Sequence, residues 1–152
     1  MNFDFFGIPI NGTPPQFCER LLRNGRLDTT QGIENENNTY TVHIYMPEVC
    51  YNTISLMIDY NPYTLMVYMV YICVEDVGLS IYSQLFNVIN ERYGNEYVKL
   101  PNKETVVWRF DEGIIMLFRS DTATILSFKD HMNDSDSDIE EISEEDDIHL
   151  IE

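Results

Sequence analysis

Positively charged residues are scarce in this chain. It has 9 Lys and Arg against 26 Asp and Glu, and a formal net charge of −17 over 152 residues. Proteins that hold nucleic acid through its phosphates need clustered Lys and Arg. The composition therefore argues against direct binding to nucleic acid, and a basic protein partner fits the charge better.

Long apolar runs are missing as well. The longest, from Tyr63 to Val74, is about as long as a buried strand and shorter than the roughly 18 residues that a membrane span needs. The opening residues, MNFDFFGIPINGT, lack the basic start and the apolar stretch of a signal peptide. We therefore expect a cytoplasmic protein that does not associate with membranes.

Cysteine is sparse. Cys18, Cys50 and Cys73 leave one residue over in any disulfide pairing, and none has the CxxC spacing of a metal or redox site. Reduced thiols in a cytosol fit this pattern. Their apolar sequence neighbours predict that all three are buried as small hydrophobic side chains.

The residues that usually carry catalysis form no recognisable group. The three histidines, His43, His131 and His149, have no nucleophile beside them, although folding could bring a cysteine to His43. The glycines are too sparse for a phosphate-binding loop. We therefore expect a protein that is not an enzyme and that holds no cofactor.

One arrangement near the C-terminus approaches a calcium-binding loop. Asp134, Asp136, Asp138 and Glu145 occupy its positions one, three, five and twelve. Position six requires Gly for the sharp turn but is Ile139, and no helix is predicted to enter the loop. The sequence therefore predicts no metal site.

The body of the chain has the composition of a folded domain, with 44% hydrophobic and 12% aromatic residues. A first strand is predicted over Phe3 to Ile10. A helix then begins after Thr13, with Pro14 in its first turn and Gln16 completing a capping box, and it ends at Gly25. Its predicted buried stripe is Phe17, Cys18, Leu21 and Leu22.

The remaining elements follow from apolar periodicity and turn residues. Asp28 to Asn38 is predicted to be an exposed loop, and Asn61 with Pro62 a tight connection. A second helix is predicted over Ser80 to Tyr93, with Tyr82, Leu85, Phe86, Ile89 and Tyr93 on its buried side. Strands are predicted over Thr39 to Met46, Thr53 to Tyr60, Tyr63 to Val74, Glu104 to Phe110, Gly113 to Ser120 and Thr122 to Lys129.

These elements predict an α+β fold in which two helices pack on antiparallel β meanders. Each helix precedes a meander, so a duplicated helix-plus-meander unit is one interpretation, and convergence of ordinary sequence patterns is the other. We expect a single domain over residues 1–130 and a disordered acidic tail over 131–152. That tail has ten of the acidic residues and no Lys or Arg from Asp134 onward.

Two strand segments, Tyr63 to Val74 and Gly113 to Phe118, are apolar at both odd and even positions. In a sheet with one solvated face these positions would alternate between apolar and polar. Both faces are therefore predicted to be covered. The second face could be closed by the other half of the chain, by a partner in a homodimer or by a different protein.

Isoleucine and leucine residues interrupt the acidic run of the tail. A segment that only confers solubility does not need such apolar residues. This tail could bind a partner as an added strand or as a helix, and a solvated tail is the alternative. The predicted partner-binding residues are Ile139, Ile142, Glu144, Glu145, Asp146, Asp147, Ile148, Leu150 and Ile151.

The opening FFGIPINGTPPQFCERLLRNG resembles the start of small uncharacterised proteins of Bacteroidales and their phages, which begin with a GIPI-x-GT strand, turn and helix pattern. INERYG and VVWRFDEGIIMLF are also similar to that group. The resemblance covers Phe3 to Gly25 well and Tyr82 to Phe128 loosely. It implies an α+β fold and a bacterial or phage setting, and it transfers no activity.

The leading hypothesis is a non-enzymatic protein-interaction domain that binds a partner through an apolar sheet face, the acidic tail or both. The alternative is a phage-type inhibitor that imitates the charge of nucleic acid and blocks a DNA- or RNA-binding protein. Binding by charge imitation would weaken steeply with added salt, whereas binding through an apolar face would not.

Overall fold

The computed structural model describes residues 3–49, 51–75, 80–101 and 104–131. The first half is a helix followed by four strands: α1 Pro14–Arg23, β1 Glu34–Glu36, β2 Thr39–Met46, β3 Tyr51–Tyr60 and β4 Val67–Glu75. The second half repeats this order: α2 Ser80–Tyr93, β5 Tyr97–Lys99, β6 Thr105–Arg109, β7 Gly113–Arg119 and β8 Ala123–Asp130. A short 3-10 helix, Pro47–Val49, lies between β2 and β3.

The eight described strands form one antiparallel sheet in the order β1-β2-β3-β4-β8-β7-β6-β5. The last strands of the two halves, β4 and β8, pair at its centre. The predicted α+β class, with two helices on antiparallel meanders, is confirmed. The halves also share their element order, as the interpretation of a duplicated unit requires.

Helix α1 begins as its sequence predicts. The Thr13 hydroxyl accepts a hydrogen bond from the Gln16 amide at 3.4 Å, and the Gln16 side chain accepts one from the Thr13 amide at 2.9 Å. After the helix ends, Gly25 takes a left-handed conformation with φ +71°. The buried stripe contains Phe17, Cys18 and Leu21, but the prediction for Leu22 was wrong, since it is 50% exposed.

Helix α2 has the predicted bounds. Its most buried side chains are Ile81, Leu85, Ile89 and Tyr93. Tyr82 and Phe86 are half-buried beside this stripe and pack against the core. Neither helix in the part of the chain that the structure describes is long and apolar enough to cross a membrane.

Both helices pack on the same face of the sheet. Their buried side chains belong to one hydrophobic cluster with side chains from the central strands. The pairing register places these strand residues in rows across the sheet, one of which is Val42, Leu56, Ile72, Leu126, Leu117 and Val106. The described part of the second half therefore widens the sheet of the first half and does not cover its other face.

The segment Phe3 to Ile10 is a turn and not the predicted strand. Phe5 and Ile8 form an isolated bridge, and Phe6 and Gly7 between them have positive φ angles of 50° and 87°. Phe5, Phe6, Ile8 and Ile10 are nevertheless buried. Apolar content alone predicted the strand, but a tight turn buries the same side chains.

Two further segments differ from the prediction. The polar stretch Asp28 to Asn38 was predicted to be a loop, yet it contains β1, which forms a hairpin with β2 through Asn37 and Asn38, both at positive φ. Strand β5, which was not predicted, pairs with β6. Both strands have only three residues, all exposed, so they lack the apolar pattern by which strands are recognised.

Tyr93 joins the N-terminal turn to α2. Its buried hydroxyl accepts a hydrogen bond from the Phe6 amide at 2.9 Å and donates one to the Asp4 carbonyl at 2.7 Å. Burial raises the pKa of the Tyr93 phenol well above its ordinary value. The phenol therefore stays protonated and keeps both hydrogen bonds.

Arg26 ties the end of α1 to the loop after β2. Its guanidinium forms a two-pronged ion pair with the Glu48 carboxylate, and the two side chains are only 14% and 20% exposed. It also donates to the Tyr45 carbonyl at 3.2 Å and lies 5.0 Å from the centre of the Phe6 ring. By contrast, Arg23 and Glu19 form a pair that is 71% and 57% exposed.

We predict that Arg26→Met lowers the free energy of unfolding by about 3 kcal/mol, because it leaves the largely buried Glu48 carboxylate without its cation. The matched control is Arg23→Met, which removes an exposed pair and should change stability by less than about 0.5 kcal/mol. Urea denaturation of both variants measures this. Equal effects of the two substitutions would contradict the prediction.

The stability lost in Arg26→Met should depend on pH. Partial burial raises the pKa of Glu48, but hydrogen bonds and charge from Arg26 outweigh burial and hold that pKa below its ordinary value. Because the folded pKa is the lower one, the stabilisation is complete above the unfolded pKa of about 4.3 and is lost as pH falls through the folded pKa. Urea denaturation at pH 7, 5 and 3 should therefore show the largest difference between wild type and Arg26→Met at pH 7 and the smallest at pH 3.

Candidate functional site

The face of the sheet opposite the helices is the candidate site. Strand pairing aligns its side chains in three rows across β2, β3, β4, β8, β7 and β6. We call these residues the open face. They are Thr39, Asp59, Met69, Lys129, Ile114 and Arg109 in the first row; Thr41, Met57, Tyr71, Ser127, Met116 and Val107 in the second; and His43, Ser55, Cys73, Ile125, Phe118 and Thr105 in the third.

The middle of the open face is mainly apolar. Met57, Tyr71 and Met116 share the second row, and Ile125 and Phe118 are neighbours in the third. These side chains are half-buried, although they lie on central strands. No helix within the described residues packs over them, because both helices belong to the core on the opposite face.

The exposure of open-face side chains differs between β4 and β6. Cys73 is exposed near the end of β4, whereas Thr105 and Val107 on β6 are 0% and 3% exposed. Both β6 residues have short side chains and pair with the longer Phe118 and Met116. The accessible apolar surface is therefore centred on β3, β4, β8 and β7.

Charge is distributed unequally between the two halves of this face. The acidic strand residues on the same side of the sheet as the open face are all in the first half. They are Glu34 and Glu36 on β1, Asp59 on β3 and Glu75 on β4. The basic ones, Arg109 on β6 and Lys129 on β8, are in the second half. The face thus has an acidic half and a basic half.

Asp59 is the one of these acids that lies on β3, in the first row. It accepts a hydrogen bond from the Thr39 hydroxyl at 2.6 Å. Burial raises the pKa of the Asp59 carboxyl, and the hydrogen bond from Thr39 opposes that rise only in part.

An exposed apolar loop adjoins the open face at the β3–β4 end. The tight connection predicted at Asn61 and Pro62 is longer, because β4 begins only at Val67. The Asn61 side chain accepts hydrogen bonds from the amides of Tyr63 and Thr64, which holds the loop in one shape. Tyr63 is 90% exposed, and Leu65 is 55% exposed with φ +63°.

The two apolar strand segments in the sequence indicated this surface. Within β4, Val70 and Ile72 are buried in the core while Met69 and Tyr71 lie on the open face. The same holds for Ile115 against Met116 in β7. What the sequence did not show is that both segments meet at one face, or that this face is divided by charge.

The residues predicted from the tail lie outside the described part of the chain. This applies to Ile139, Ile142, Glu144, Glu145, Asp146, Asp147, Ile148, Leu150 and Ile151, and equally to the calcium-like residues. Cys50 and His149 also lie outside it. Their predicted roles therefore remain predictions.

The other cysteines and His43 lie in the described part. Cys18 is buried as predicted, and burial raises the pKa of its thiol. Cys73 is exposed, so its predicted burial was wrong: it faces away from the core because β4 alternates at that point. His43 is on β2, with β3 between its strand and that of Cys73.

Metal-binding side chains do not cluster in the described residues, where no three His, Cys, Asp or Glu lie close enough together to hold an ion. No protein-family model, curated protein sequence or solved structure matches the chain.

Proposed function

We propose that this protein is a non-enzymatic protein-interaction domain whose open face is the contact surface, with the acidic segment after His131 as a second contact. The observation that supports the open face most directly is its row of apolar side chains, Met57, Tyr71 and Met116, over which no described helix packs. Apolar side chains gathered on an uncovered surface are typical of protein-binding sites.

The composition of the face supports the same proposal. Tyrosine and methionine supply large contact areas and adapt to a partner's shape, and both types are enriched in protein interfaces. Polar side chains such as Asp59 and Lys129 surround the apolar centre and would orient the partner. The exposed Tyr63 lies in the loop between β3 and β4, next to the end of the first row.

The acidic segment complements this surface through different chemistry. Its apolar residues Ile139, Ile142, Ile148, Leu150 and Ile151 are spaced among carboxylates, which suits a segment that orders on a partner with basic and apolar surface. A pure charge mimic would not need them. An apolar contact face on a chain of charge −17 favours the interaction domain over the charge mimic.

We predict that Ser127→Glu abolishes binding through the open face. Ser127 lies between Tyr71 and Met116 in the second row, so a glutamate there would place an unpaired carboxylate in the middle of the contact. The tagged full chain should be incubated with bacterial lysate to which an untagged copy has been added. Retention of proteins that bind through the open face should then fall at least about tenfold, which corresponds to about 1.4 kcal/mol.

Two matched variants control this experiment. Ser127→Ala changes the same position without adding charge, and Asn87→Glu adds the same charge on the exposed surface of α2. Both should retain proteins as the wild type does, and circular dichroism should show the same fold in all variants. Retention that is unaffected by Ser127→Glu would refute the proposal that the open face is the contact surface.

The tail contributes a separate prediction. Replacing Ile139, Ile142, Ile148, Leu150 and Ile151 with Ser, at unchanged length and charge, should reduce retention of any partner that the tail contacts, because apolar burial is lost. The counterpart variant keeps these five residues and replaces the acidic residues of 134–152 with Asn and Gln. If only this second variant loses partners, and the wild type loses them in high salt, charge imitation is the better account.

A further inference from the structure

We infer that the open face binds a second copy of this chain, so that the protein is a symmetric dimer with its two sheets face to face. The inference rests on the proposed function, because it names the partner of the same surface. Its basis is the division of the face into an acidic first half and a basic second half. A symmetric dimer can place each half over the opposite half of the other copy.

The geometry follows from the strand order. The two-fold axis runs parallel to the strands, midway between the two facing sheets and above the junction of β4 and β8. It places β4 of one copy over β8 of the other, β3 over β7 and β2 over β6. Sheets packed in this way lie about 10 Å apart with strands within about 30° of each other. The three rows of one copy then lie over the same three rows of the other.

This arrangement matches the side chains of the apolar centre. In the second row, Met57 of each copy lies over Met116 of the other, so two methionine contacts form on either side of the axis. Tyr71 lies over Ser127, where the two hydroxyls can form a hydrogen bond. The apolar centre of each face thus meets the apolar centre of the other.

The charges are also matched. In the first row, Asp59 of one copy lies over Ile114 of the other, whose neighbours in that row are Lys129 and Arg109. The same symmetry places Glu36 at the edge of one copy beside Arg109 of the other. From each edge of the row to the axis, acidic and basic side chains of the two copies alternate, and at the axis the two copies of Lys129 are neighbours.

The size of the face suits a dimer. From the ordinary spacing of strands and residues, the rows between β2 and β6 cover about 29 Å by 20 Å. Two copies would bury about 1,200 Å² in total, which is at the lower limit of specific, stable interfaces. The dimer should therefore dissociate on dilution.

The first measurement is sedimentation velocity of the full chain over a range of concentrations. The mass should rise from 17.8 kDa toward twice that value as concentration increases. Ser127→Glu should remain monomeric, whereas Asn87→Glu should dimerise as the wild type does. A wild-type chain that stays monomeric up to millimolar concentration would overturn the inference, as would a dimer that Ser127→Glu leaves intact.

A charge exchange tests the register. Asp59→Lys and Lys129→Glu, each alone, should weaken the dimer at least about tenfold, because each brings like charges together across the contact. The double variant should restore the affinity, since each new lysine then lies beside a new glutamate of the other copy. Single variants without effect, or a double variant as weak as the singles, would overturn this arrangement.

Cys73 provides an independent distance test. It lies on β4 next to the axis, which places the two Cα atoms of Cys73 about 11 Å apart across the dimer. A short bismaleimide should therefore join the two chains covalently, and Cys73→Ser should not be joined. If the wild type is never cross-linked at concentrations where it is dimeric, the sheets do not face each other.

These results separate the inference from the proposed function. A monomeric wild type whose retention of other proteins is still abolished by Ser127→Glu refutes the dimer and supports the contact face. If Ser127→Glu changes neither the retention of other proteins nor dimerisation, both the proposed contact surface and the dimer are refuted.

Discussion

The antiparallel pairing of β4 with β8 determines the arrangement of the rest of the molecule. It joins residues Met69 to Glu75 of the first half to Ala123 to Lys129 of the second. Two neighbouring antiparallel strands are related by a two-fold axis perpendicular to the sheet, and such an axis does not exchange the two faces of the sheet. Both helices consequently lie on the same face, and the other face has no helix over it in the described chain.

The same symmetry explains why one core serves both halves. Ile72 of β4 pairs with Leu126 of β8, and both lie beneath the helices in a single hydrophobic cluster. Neither half has a core of its own. A meander with one helix would bury little surface, and pairing through the central strands combines two such units into a core large enough to be stable.

The N-terminal turn completes that core from one side. Phe5 packs edge-on against Phe128 with 5.1 Å between ring centres, and the guanidinium groups of Arg26 and Arg92 lie 5.0 and 6.0 Å from the centre of the Phe6 ring. The turn needs positive φ at Phe6, an unusual conformation for a phenylalanine. The hydrogen bond that the Phe6 amide donates to the Tyr93 hydroxyl and burial of the ring hold it there, so distant residues determine the backbone of this segment.

Local patterns in the sequence predicted the elements that such patterns control. The capping box at Thr13 and Gln16, the bounds of α2, the long strands and the α+β class all depend on neighbouring residues. So does the prediction that β4 and β7 are apolar on both sides. The tail residues from Ile139 to Ile151 remain a prediction, since they lie outside the described part of the chain.

Tertiary structure determined the features that depend on contacts between residues far apart in the sequence. The pairing of β4 with β8 joins strands that α2 and three strands separate, and it is this pairing that leaves Met57, Tyr71 and Met116 on one open face. Apolar periodicity records only that a side chain is buried, and so it could not distinguish a strand from a turn at Phe6. It also could not reveal that Cys73 faces outward, because β4 is apolar at both odd and even positions. Nor could it reveal that Asp59 and Lys129 occupy opposite halves of one surface, because that depends on the register between strands.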